Sequence, residues 1–141
     1  DSEHDYHPEP ESLRGDLFLA DRGYLDVTYL REIDRHGGFF IVRGKSNLNP
    51  RVIEAYREDG QRMKSCRDRE LKAIISKCPK RQRAELEVEW LLEGEPFHLR
   101  LIVRWNPEKK SFDYLLTNLP KEKYTINMIC LGYKLRSYVG T

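Results

Sequence analysis

Long apolar runs are absent from this 141-residue chain. No stretch approaches the roughly 20 apolar residues of a membrane-spanning helix, and the acidic opening Asp1-Ser2-Glu3-His4-Asp5 has no signal-peptide core. A soluble, cytoplasmic protein is expected. Cysteine is scarce: Cys66, Cys78 and Cys130 are odd in number and none belongs to a C-x-x-C pair, so neither a disulfide framework nor a zinc ribbon is supported. Buried, idle thiols are the expectation. Histidine is sparse too, and His4, Asp5 and His7 lie in an acidic tail without a fourth ligand, a poor basis for a metal site. A large net charge is also missing, the formal value being +2. What the chain does have is charge in quantity: 34% of residues are charged against 39% hydrophobic, which supplies one core beneath a heavily charged surface.

The small net charge conceals an asymmetry. Residues 1–15 carry five acids against Arg14 alone, whereas residues 51–83 carry eleven Lys or Arg against five Asp or Glu. Phosphate binding by counterion release uses such an excess, with Lys80, Arg81 and Arg83 as its densest cluster. A solvated charged face is the bland alternative.

Residues 1–15 are acidic, contain Pro8 and Pro10, and read as an extended lead-in. Leu17-Phe18-Leu19-Ala20 is a short apolar run expected to be a buried strand. Leu25, Tyr29, Leu30 and Ile33 then form a helical stripe closed by Gly37-Gly38, and Phe39-Phe40-Ile41-Val42 predicts a second buried strand. Strand, helix and strand, with apolar residues on both strand faces, describe a βαβ unit of a parallel sheet over residues 16–50. The basic stretch 51–83 is expected to be mostly helical, with Leu71, Ile74 and Ile75 as its apolar patch before Pro79. Beyond it, Leu86, Val88 and Trp90 alternate on one strand, and Phe97, Leu99, Leu101, Val103 and Trp105 on another. A turn centred on Glu93-Gly94-Glu95-Pro96 would set Trp90 opposite Leu99, Glu89 opposite Arg100 and Glu85 opposite Arg104. Phe112–Thr117 supplies a third strand, so residues 51–119 combine a basic part with a β-meander. In residues 120–141, Thr125 caps a helix whose Ile126, Ile129, Cys130 and Tyr133 share one face.

Asp21 ends the first strand, where ligands gather in open α/β sheets, although an Asp at a strand-to-helix turn is commonly just a turn former. The run Asp16–Tyr24, the helix after it, Gly38–Asn47 and the later Tyr133-Lys134-Leu135-Arg136 resemble the insertion-sequence-four transposases of the aspartate-aspartate-glutamate class. The resemblance implies a partial ribonuclease-H-like α/β core, interrupted by a mostly antiparallel β insertion at 51–119 and closed by a truncated C-terminal helix at 120–141. It also implies DNA as partner, a homodimer as in transposition complexes, and magnesium-dependent cleavage and strand transfer with Asp21 as catalytic metal ligand. Arg43, Lys45, Tyr133 and Arg136 would hold DNA phosphates. Trp90 and Trp105 are either core residues or stacking partners for an unpaired base.

The sequence departs from the family at its end. The family signature continues from tyrosine and arginine to a glutamate four residues beyond the arginine, a position that is Gly140 here, and the first aspartate has no counterpart. A truncated or degenerate transposase with catalysis lost is therefore expected, the alternatives being a non-catalytic nucleic-acid-binding module and an unstable fragment.

Overall fold

A computed structural model describes residues 8–21 and 26–135. After a 3-10 turn at Pro10–Leu13 the chain forms β1 (Leu17–Ala20), α1 (Val27–Arg35), β2 (Phe39–Arg43), β3 (Arg51–Arg57), β4 (Arg69–Glu70), α2 (Leu71–Ile74), β5 (Ala84–Leu92), β6 (Glu95–Asn106), β7 (Ser111–Thr117) and α3 (Ile126–Leu135). The strands build one seven-stranded sheet in the order β1-β2-β7-β6-β5-β3-β4. Among the described residues only β1 and β2 run parallel, while each later pairing is antiparallel. The fold is mixed α/β, and the meander strands continue the same sheet as the βαβ unit through the β2–β7 pairing.

Local chemistry sets the βαβ geometry. Asp26 caps α1 by accepting from the Thr28 amide at 3.0 Å. The helix ends at Gly37, whose φ of +82° favours glycine. At Gly38 a Cβ would lie 2.8 Å from both an Ile33 methyl and the Leu13 carbonyl, so only glycine admits this approach of helix end to strand. The sheet is apolar on both sides. On one face Leu30 and Ile33 of α1 join Phe40, Val42, Leu86, Leu101, Val103 and Leu116. On the other, Ile41, Ile102 and Leu119 meet Ile129 of α3, with Ile126, Cys130 and Tyr133 packed alongside as the helical spacing predicts. Thr125 caps α3, accepting from the Met128 amide at 3.2 Å. Among the described residues no helix is long and apolar enough to cross a membrane.

Three expectations are corrected. First, β1 is only half-buried, with Leu17 46% exposed, because it is the last strand on its side of the sheet among the described residues. Second, the β5–β6 hairpin turns on Glu93-Gly94 alone, since Leu92 pairs with Glu95 and both turn residues have positive φ. That is the primed two-residue turn that matches strand twist. Trp90 consequently opposes Phe97, Glu89 opposes His98 and Glu85 opposes Ile102. The register differs from expectation by two residues, so every side chain keeps its expected face but changes its partner. Third, the basic segment is not a helix. Its first part is β3, paired with β5 and burying Val52 and Ala55, and its α-helical content is the four residues of α2. Helix propensities differ by only a few tenths of a kcal/mol per residue, whereas burying a valine contributes about 1.5 kcal/mol or more. Tertiary pairing wins.

Candidate functional site

In the parallel register Ala20 is level with Val42, so Asp21 and Arg43 leave the carboxyl ends of adjacent strands side by side. Gly44 then folds the chain across β7: its amide donates to the Tyr114 carbonyl at 3.0 Å, and a Cβ there would lie 2.6 Å from Leu48 and 3.1 Å from Tyr114. Two adjoining clefts open at this end of the sheet, of about 900 and 570 Å³. Asp21, Arg43, Lys109, Asp113 and Tyr114 line both. The larger adds Lys45, Lys110, Trp105 and Phe112, and the smaller adds Arg83, Arg104, Asn127, Tyr133 and Lys134.

The structure thus brings together Asp21, Arg43, Lys45 and Tyr133, which lie far apart in the sequence. Arg136 and Gly140, like His4, Asp5 and His7, lie outside the described residues. The basic segment divides. The Lys80 ammonium sits 4.2 Å from the centre of the Trp105 ring, at the larger cleft. Arg81 is exposed and lines neither cleft. Arg83 reaches the smaller cleft but is held by Glu58, its Nε donating to Oε1 at 2.8 Å and its Nη2 to Oε2 at 2.6 Å, with Asn127 Oδ1 a further acceptor at 3.2 Å. The Arg83 hydrogen bonds pull the Glu58 carboxyl down to about 2 and raise the guanidinium in turn.

The two tryptophans also divide. Trp90 packs against the main core. Trp105 stands at the larger cleft with Phe112 edge-on at 4.9 Å between ring centres. Cys66 and Cys78 are buried free thiols, as expected, and burial with Cys66 nearby pushes the Cys78 thiol up to about 12.

Sequence reasoning missed Asp113, Arg104, Asn106 and the turn lysines Lys109 and Lys110. Arg104 lies opposite Asp113 across β6 and β7, donating to Oδ2 at 3.3 Å, and Asn106 Nδ2 donates to the same oxygen at 3.1 Å. Arg43 Nη2 stands 3.9 Å from Oδ1. The signal was the β6–β7 register, with Arg104 and Asp113 flanking Asn106-Pro107; the expected hairpin had assigned Arg104 to Glu85 instead. Glu85 pairs with Arg100 at 2.8 Å, and both are largely buried.

The composition of the site suits an anionic ligand: four Lys or Arg line the larger cleft and five the smaller, each against Asp21 and Asp113. The family described as transposase DDE domain matches residues 2–137 of the chain. No curated protein and no solved structure matches it.

Proposed function

Because the chain belongs to the transposase DDE domain family, we propose that its two clefts hold the backbone of a DNA strand beside Asp21 and that this 141-residue chain binds DNA without cutting it. Transposase function in the broad sense follows from the family, as does DNA for substrate, and the mixed α/β fold is consistent with a ribonuclease-H-like domain of that kind. The insertion-sequence-four subtype, magnesium as the metal and a homodimer are further parts of this reading. The observation that carries it is the convergence of Asp21, Arg43 and Tyr133 on one cleft, the residues through which the sequence resembles those transposases.

Divalent metal is general to the family, where it supplies charge for phosphoryl transfer. The described residues do not fit a two-metal centre: no three His, Cys, Asp or Glu side chains are grouped to hold an ion. Asp113, the second carboxylate of the clefts, is engaged by Arg104 and Asn106. With Gly140 where the family signature has glutamate, the chemistry of this chain on the proposed reading stops at binding. What its residues do is neutralise phosphates with guanidinium and ammonium groups and offer Trp105 as an apolar wall.

Incubation with supercoiled DNA and magnesium or manganese tests this. The expected result is no nicking, together with magnesium-independent duplex binding that weakens steeply with salt. Metal-dependent nicking that disappears in Asp21→Ala overturns the non-cutting reading, and absence of duplex binding overturns the interface.

A further inference from the structure

We propose that Asp113 is a built-in occupant of an anion subsite formed by Arg43, Arg104 and Asn106, and that a backbone phosphate enters the cleft by displacing its carboxylate from these donors. The inference rests on the reading of the clefts as an anion-binding surface and adds to it a site and a competition.

The geometry is that of a phosphate-binding cluster with a carboxylate in the phosphate position. Two guanidiniums and a carboxamide from two different strands point at one group: Arg104 Nη2 at 3.3 Å and Asn106 Nδ2 at 3.1 Å reach Oδ2, while Arg43 Nη2 lies 3.9 Å from Oδ1. A carboxylate and a phosphate present the same feature to a guanidinium, two anionic oxygens in one plane. The 3.9 Å separation is longer than a hydrogen bond, so Arg43 is held near Asp113 by charge alone. Arg43 and Arg104 are 41% and 62% exposed. Pairs so exposed are weak, and both side chains have room to turn towards a ligand.

Arg104 and Asp113 are cross-strand partners, and it is their position at the clefts that gives the pair a second use. Asp113 lines both clefts, at the boundary where a strand passing from one to the other would run. Its neighbours in β7, Tyr114 and Leu116, are buried in the core. With one carboxylate against two guanidiniums the cluster keeps a single net positive charge at rest. A phosphate arriving there gains two charge-assisted contacts but must first break those of Asp113 and then share space with it. The carboxylate therefore lowers affinity for any anion, most for those that bind by charge alone, and leaves more of it to ligands with further contacts along the clefts.

The test compares the chain with Asp113→Asn, a variant of the same shape without the charge, using pyrophosphate and a short labelled duplex at several salt concentrations. The expected result is binding of both about fivefold tighter, with a duplex salt slope steeper by about one, and loss of the gain when Arg43→Gln and Arg104→Gln are added. Equal or weaker binding of both ligands, with matching thermal unfolding, overturns the proposal. If Asp113→Asn does not fold, Arg104→Gln on its exposed side chain decides: weaker pyrophosphate binding supports the subsite, and unchanged binding removes it. A gain for pyrophosphate with no duplex binding by either protein keeps the subsite and removes only the DNA reading. Duplex binding that is identical in both proteins, with no gain for pyrophosphate, keeps the DNA reading and removes the subsite.

Discussion

The basic segment and the Asp21 end of the sheet are both rich in Lys and Arg, yet they use that charge differently. In the segment, three of the arginines are closed by acids of the same segment: Arg51 meets Asp68 at 2.7 Å, Arg67 meets Glu54 at 3.0 Å and Arg83 meets Glu58 at 2.6 Å. At the clefts, Arg43, Lys45, Lys109 and Lys110 come from the end of β2 and the β6–β7 turn and surround only Asp21 and Asp113. Net charge along a sequence counts both kinds alike. What a ligand meets is the charge left after folding has paired it and the shape that presents it, and at the larger cleft four Lys or Arg converge on two carboxylates.

The strongest way to break this comparison is to neutralise the cleft. Replacing Arg43, Lys45 and Lys109 together by glutamine should lower the salt slope of duplex binding by roughly 2.7, about 0.9 for each lost contact. Affinity at physiological salt should fall roughly a hundredfold. These side chains are exposed or half-exposed, so thermal unfolding should hardly move. Fluorescence anisotropy titrations across salt measure both quantities. An unchanged slope would place the DNA interface elsewhere on the molecule.

A smaller effect, on stability instead of binding, should mark the other region. Glu58 is held at about 2 against an ordinary value of 4.5, first through its side-chain hydrogen bond from Arg83. A carboxylate with a lowered folded pKa contributes its full stability above its ordinary pKa and loses it as pH falls through the folded value. That contribution should therefore fade between about pH 4.5 and pH 2. Glu58 is 34% exposed, so solvent screening cuts the benefit to about 1 kcal/mol, or roughly 3–4 °C in unfolding temperature. Glu58→Gln should lose this amount at neutral pH and show a flatter acid limb. Parallel unfolding curves for the two proteins would mean that the pair contributes nothing.

Which parts of this were legible in the sequence follows the range of the interactions involved. The βαβ unit was readable because each of its signals is local: apolar runs at Leu17 and Phe39, a helical stripe, and glycines at 37 and 38. From it, the meeting of Asp21 with Arg43 at one sheet edge follows by topology. The α3 face was readable from 3.6-residue spacing, and Tyr133 came with it. The Arg104–Asp113–Asn106 cluster was not readable, because it depends on strand register. The expected turn ran on to Pro96, two residues longer than the observed one, and the resulting two-residue slip in register preserves every face while exchanging every partner. The β3 strand was hidden for another reason. Lys and Arg favour helix slightly, and nothing within residues 51–57 announces that β5 will pair with them.

The smallest expected effect sharpens the comparison most, because it concerns the residues that composition singled out. Arg51 and Arg67 lie in the stretch with the largest local excess of positive charge, and both are about half exposed. Arg51 donates to Asp68 at 2.7 Å, which raises its pKa, and Arg67 approaches the inner carboxylate of Glu54. A phosphate binding to either must break an existing pair, so the counterions released on binding are partly offset by the acid set free. Neither residue lines a cleft. Replacing both by glutamine should change duplex affinity less than about threefold and leave the salt slope within about half a unit. Stability should hardly change, as for exposed pairs in general. The same titration that reads the cleft variant reads this one, and a slope lower by two would show that the segment's own carboxylates do not hold these arginines when DNA is present. The basic segment would then be the interface, as its composition alone proposed, and the pairing seen in the free chain would be its resting state.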